Sequence, residues 1–197
     1  MSTVLILGIL IGTVGTAYLW GVPLIEKRTT ITEFETAENF ILETDRAITD
    51  VVNAGEGQKR IRIPKGIVYV IPYDDTGPDN NSIILEFVVK QPMLSNATVP
   101  IRTSSLEETA AYGETEARII TARGEPFADG YKIAIKLHYR ELDTQTPPLK
   151  GYKIAIQKGV ATGSDEIVIT YDRTITLEDQ AGNGGDLILS YVNIDTV

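Results

Sequence analysis

From Met1 to Ile25 the chain carries no Asp, Glu, Lys, Arg or His. The run Ser2–Ile25 is almost wholly apolar, and charge begins abruptly at Glu26-Lys27-Arg28. About 20 apolar residues suffice to cross the hydrocarbon core of a bilayer as a helix. A run of this length also suits the buried core of an assembly. A secretory signal peptide is disfavoured, because no basic residue precedes Val4 and no clear A-x-A cleavage site follows. The segment is expected to be retained, hidden from water either in lipid or among copies of itself.

Setting the apolar head aside leaves about 140 to 170 residues, enough for one domain with its own core. The net charge of −9 argues against nucleic acid as a partner, since that needs a basic footprint. It argues equally against electrostatic docking on anionic lipid. There is no cysteine, so disulfides and thiolate metal sites are excluded. His138 is the single histidine, which rules out a histidine metal cluster and any Ser-His triad built on another histidine.

Three zones follow. Residues 1–25 read as an apolar helix, 26–57 as an amphipathic helix and linker, and 58–197 as an all-β, sandwich-like domain, giving an α+β chain. The amphipathic reading rests on period. Phe34, Ile41 and Ile48 fall seven apart, with Ala37, Thr44 and Val51 between them. That is one stripe along a helix, and it is expected to seat the β domain. Glu33, Glu35, Glu38, Glu43, Asp45, Arg46 and Asp50 are placed on the other faces. Gly55 and Gly57 stand where a helix ends. Pro23 lies where the two halves join and predicts a kink rather than a stop.

Beyond Arg60 the texture changes to short β-rich runs separated by turn residues. Strands are expected at 61–63, 67–71, 83–89, 117–121, 131–139, 152–157, 166–171 and 187–192. Gly130-Tyr131-Lys132-Ile133-Ala134-Ile135 recurs verbatim as Gly151-Tyr152-Lys153-Ile154-Ala155-Ile156. Two strands solving the same packing problem are favoured over a duplicated module.

No nucleophile elbow, phosphate loop or zinc-protease motif is present. Gly182-Asn183-Gly184-Gly185-Asp186 precedes a strand rather than a helix, so it reads as a turn and not as a phosphate cradle. Asp74-Asp75, Glu107-Glu108 and Asp165-Glu166 are adjacent acids. Neighbours on a strand face opposite ways, so these read as solvated surface, with a calcium contribution as the lesser reading. The chain is not expected to be an enzyme, and no cofactor or metal is expected. Asn80 and Asn96 head N-x-[ST] sequons in expected loops and are candidate N-glycosylation sites. In the head, Gly8, Gly12 and Thr16 form a small-residue ladder along which another helix can approach closely.

An apolar N-terminal helix running into an amphipathic one, then a β domain, resembles a type IV pilin, most of all the archaeal pilin-like filament subunits. The resemblance spans Met1 to about Asn53, and Ala17-Tyr18-Leu19-Trp20-Gly21-Val22-Pro23-Leu24-Ile25 has the flavour of that group. Bacterial pilins carry glutamate at the fifth mature position, where this chain has Leu5; archaeal relatives often lack it. Precursors in the family carry a short basic leader, and its absence fits Met1 as the first residue of a processed chain. The resemblance implies a structural subunit of an extracellular filament, serving adhesion, inserted in the membrane before assembly. Its partners would be copies of itself, with surface receptors or an S-layer as further ones. Leu5, Gly8, Gly12, Thr16, Trp20 and Pro23 would form the assembly helix. The alternative is a single-pass envelope protein whose β domain binds a surface partner, as an archaellum stator-like component or an S-layer anchor would.

Overall fold

In the computed structural model the described residues are 2–158 and 165–197, with side chains described from residue 6 onward. One α-helix, α1 (Ser2–Ala54), runs unbroken through Pro23. At 1.5 Å per residue its 53 residues extend about 80 Å. Gly55 ends it at φ +67°, a left-handed conformation that glycine adopts without a Cβ penalty. Its N–H donates to the carbonyls of Val51 and Val52, both at 3.1 Å.

Among the described residues eleven strands follow: β1 (Gln58–Arg62), β2 (Ile67–Ile71), β3 (Ser82–Val89), β4 (Val99–Pro100), β5 (Thr109–Ala111), β6 (Arg118–Phe127), β7 (Gly130–Tyr139), β8 (Glu141–Asp143), β9 (Lys150–Lys158), β10 (Glu166–Leu177) and β11 (Asp186–Thr196). They form two sheets, ordered β1-β10-β11-β9-β8-β5 and β2-β3-β7-β6-β4. The five-stranded sheet is antiparallel throughout. The six-stranded one is mixed, with β11 parallel to β9 and β5 parallel to β8. Every strand expected from the sequence is present; β4, β5 and β8 were not foreseen.

A single core joins the helix to both sheets. Phe34, Ala37, Phe40, Ile41, Ala47, Ile48 and Val51 of α1 share it with Leu85 and Phe87 of β3, Ile135 of β7, Ile169 of β10 and Val192 of β11. The second half of α1 is thus a component of the core, packed against β1, β3, β7, β10 and β11.

The two copies of the repeat lie in opposite sheets, one in β7 and one in β9. Ile133 and Ile135, and on the other side Ile154 and Ile156, turn to the shared core. Their neighbours differ: β7 lies between β3 and β6, β9 between β11 and β8. Ala155 also packs in a second, smaller cluster with Ala181, Leu187 and Leu189. The same six residues serve two different packing contexts.

Two buried polar residues hold this frame. Asn81 is fully buried at φ +54°. Its Nδ2 donates to the carbonyls of Tyr139 at 2.9 Å and Ile154 at 2.8 Å, and its Oδ1 accepts from the Ile156 N–H at 2.8 Å. One side chain therefore bridges β7 and β9 across the sandwich, with every bond made inside the protein. Arg140, also fully buried, donates from Nε to the Glu116 carbonyl at 2.8 Å. Its Nη1 donates to the carbonyls of Ser105 and Glu107, both at 3.1 Å. These bonds pin the irregular stretch between β4 and β6.

Candidate assembly surface

From Ile6 to Trp20 every side chain of α1 is exposed. Ile6, Leu7, Ile9, Leu10, Ile11, Val14, Tyr18, Leu19, Leu24 and Ile25 are all exposed, and Trp20 is the barest at 82%. By length and composition this helix is apolar enough to cross a membrane, and none of its most apolar stretch is buried. Gly8, Gly12, Thr16 and Trp20 recur every four residues, so they form one ridge. A Cβ placed at Gly8 or Gly12 would meet nothing within 4 Å. Their bareness serves no packing inside the chain. Leu5 lies outside the residues whose side chains are described.

Two hydroxyls of the head are satisfied within their own helix. Thr16 Oγ1 donates to the Gly12 carbonyl at 2.8 Å, and Thr13 Oγ1 reaches the carbonyls of Ile9 and Leu10, both at 3.0 Å. Hydroxyls satisfied within their own helix can enter an apolar phase at little cost. Where the helix meets the domain, two open grooves flank it. One is lined by Ile25, Thr29, Pro64 and Phe87, the other by Ile25, Val88, Val89 and Phe127.

The seated half is organised differently. Phe34, Ile41 and Ile48 lie buried in the common core, Ile41 and Ile48 with no exposed surface. Acids on either side of this stripe meet partners from the domain. Arg102 Nε donates to Glu38 and Arg118 Nη1 to Asp45, at 2.8 and 2.7 Å. Lys65 Nζ reaches Glu33 at 2.9 Å and Gln91 Nε2 reaches Glu26 at 2.8 Å. Pro23 lies inside the helix just before this fastened region.

Asp45 corrects the sequence expectation. The sevenfold period sets it on a face other than the apolar stripe, yet it is buried between the turns of Ile41 and Ile48. Its Oδ1 accepts from the Tyr139 hydroxyl at 3.0 Å while Arg118 holds Oδ2. Burial pushes its carboxyl above the usual range, against the pull of Arg118 and of the Tyr139 bond. Burial, then the Asp45 charge, pushes the Tyr139 hydroxyl well up, so it stays a donor. The sequence carried a signal for this triad in its period, since Asp45 stands between Ile41 and Ile48. Its partners lie 73 and 94 residues away, where no local pattern reaches.

Of the two sequons, Asn96 is exposed in the connection between β3 and β4, whereas Asn80 is half-buried in the turn before β3. The Asn80 carbonyl faces His138 Nδ1 at 3.0 Å. His138 is buried and its Nε2 meets Glu108 at 2.6 Å, so it serves as a tie between a turn and a loop. Among the described residues no group of three or more His, Cys, Asp or Glu side chains is placed to hold a metal. Comparison with protein-family models, with curated proteins and with solved structures finds no match.

Proposed function

We propose that the chain is a structural subunit of an extracellular, helically assembled filament of the type IV pilus kind, with adhesion as its role. One observation carries the reading. A single unbroken helix is half built into a folded domain and half bare, and the bare half is the more apolar. Apolar side chains exposed over about 30 Å of helix need cover on every side. Copies of the same helix supply it, and the Gly8–Gly12 ridge lets their backbones approach closely. In a bundle of heads the acidic domains face outward, where net charge favours solubility. Before assembly the head lies in the bilayer.

A second reading, a single-pass envelope protein whose β domain binds a surface partner, is favoured by the match between the bare span and the thickness of a bilayer core. Electron microscopy of material shed from the producing cells separates the two. Filaments that stay soluble without detergent support the first. A particle that needs detergent throughout, with one head surrounded by lipid, overturns it in favour of the second.

A further inference from the structure

The sequons headed by Asn80 and Asn96 look alike in the sequence, but the fold treats them oppositely. Transfer of a sugar to asparagine needs the amide and the hydroxyl two residues on presented together on an accessible loop.

In Asn80-Asn81-Ser82 the hydroxyl is out of reach. Ser82 is fully buried, and its Oγ is engaged by the carbonyls of Asp79 and Asn80. Asn81, also fully buried, is bonded across the sandwich to Tyr139, Ile154 and Ile156. The backbone is fixed as well. The Asn80 N–H donates to the Gly77 carbonyl at 3.2 Å, the Asn81 N–H to the Pro72 carbonyl at 3.1 Å, and the Tyr139 N–H to the Asn81 carbonyl at 3.2 Å. An enzyme could read the Ser82 hydroxyl only by pulling the whole turn out of the domain.

Asn96-Ala97-Thr98 is the reverse. All three residues are exposed. Among the described residues neither the Asn96 amide nor the Thr98 hydroxyl is hydrogen-bonded. The chain is anchored just before them, where Leu94 packs against the main core and the Ser95 carbonyl accepts from the Gly124 N–H at 3.0 Å. Just after them it enters β4, the edge strand of the five-stranded sheet. The sequon is therefore a short exposed span between two fixed points, at a sheet edge rather than over a packed face.

We propose that Asn96 carries an N-linked oligosaccharide and that Asn80, its sequon sealed by folding, does not. The co-substrate is an oligosaccharide activated on a lipid phosphate or diphosphate. Asn96 Nδ2 bonds to the anomeric carbon, and the bond from that carbon to the phosphate oxygen breaks. The lipid phosphate leaves, and the displaced amide proton goes to a base of the transferase. The selection requires that transfer follow folding of the turn before β3. The proposal rests on the outward placement of the β domain, which the filament and envelope readings share.

Tryptic peptides test it. Cleavage after Lys65, Lys90 and Arg102 puts Asn80 in 66–90 and Asn96 in 91–102, with no further internal Lys or Arg in either. The native protein is purified from its producing cells, digested and measured by mass spectrometry. Peptide 91–102 should be heavier by a whole number of sugar residues, with fragmentation placing the added mass on Asn96. Peptide 66–90 should have its bare mass. Expressed in the same cells, Thr98→Ala should lose the added mass although Asn96 remains, and Asn80→Gln should keep it. A bare 91–102 peptide overturns the proposal. A sugar on 66–90 overturns the selection, because transfer would then precede folding of that turn. A separate sample of intact cells is treated with a membrane-impermeant amine reagent. Labelled domain lysines with a bare 91–102 peptide defeat this proposal alone; unlabelled lysines with a bare peptide defeat the outward placement with it. None of these outcomes depends on whether filaments form.

Discussion

Between Ile6 and Trp20 the side chains of α1 stand in the open; between Thr30 and Val51 those on one side are sealed in a core shared with two sheets. The two stretches belong to one helix, and the more apolar of them is the uncovered one. Hydrophobicity therefore does not decide which half is buried within the chain. Pattern does. The seated half alternates apolar and charged positions, so it has a face for the domain and a face for water. The head has no polar face and cannot lie half in water, so its environment must surround it.

The largest expected effect comes from removing the seated half. A chain starting at Thr30 should be soluble, monomeric and cooperatively folded. One starting at Gln58 loses Phe34, Ile41 and Ile48 from its core and should lose near-ultraviolet circular dichroism and bind a hydrophobic dye. A native-like, dye-free fragment from Gln58 would show that the helix is an accessory to the core. Ile41→Ala in the longer fragment should cost about 2 to 5 kcal/mol, as for other buried aliphatic truncations.

The opposite result is expected in the head. Replacing Gly8 and Gly12 together with Leu should leave the thermal midpoint of the domain unchanged, because beyond the adjoining helix backbone a Cβ at either site would meet nothing within 4 Å. The same change should abolish assembly by forcing neighbouring helices apart. Filaments of normal yield and diameter from this variant, seen by electron microscopy, would remove the ridge from the proposal.

Asp45 sharpens the contrast further, since the head has no counterpart to it. Asp45→Ala leaves Tyr139 buried without its acceptor and Arg118 without its partner. The cost should be about 3 kcal/mol, near the low end for breaking a buried pair because Arg118 retains some exposure. Urea unfolding of the Thr30 fragment measures it. A loss below 1 kcal/mol would mean that water replaces the pair.

The pH dependence has a definite sign. The folded-state pKa of Asp45 is raised by burial, so between its unfolded and folded values the folded state binds the extra proton. Its contribution is fullest below the unfolded value near 3.8 and is lost as pH rises through the folded value. The stability difference between the unaltered fragment and Asp45→Asn should therefore shift against the acid as pH rises from about 3.8, then level off. A shift in the opposite direction would mean that Arg118 outweighs burial.

The sequence made legible whatever repeats locally. The sevenfold spacing of Phe34, Ile41 and Ile48 marks the buried stripe, the charge-free run marks the head, and Gly55 marks the helix end. Strands of five residues or more show their period. β4, β5 and β8 are two or three residues long, too short for any period to register. Buried polar ties were illegible for a different reason. Asn81 sits in a polar turn and Arg140 follows a strand, both natural places for solvent-exposed residues; only their distant partners make them interior.

The smallest effects should lie at the rim of the seat. Glu33 pairs with Lys65 and Glu38 with Arg102, but the two basic side chains are 70% and 67% exposed. Each such pair trades Coulomb attraction in water against the freedom of a long side chain. Lys65→Ala and Arg102→Ala should each cost less than about 1 kcal/mol, and less still in high salt. Together they should be additive, since the pairs share no partner. The expected result is a helix still seated, with the Thr30 fragment unfolding in one transition only slightly below that of the unaltered one. If the double variant instead unfolds in two steps, the rim charges rather than the Phe34–Ile41–Ile48 stripe hold the helix in place, and the division of α1 into a core-built half and a bare half would have to be drawn nearer to Asp45.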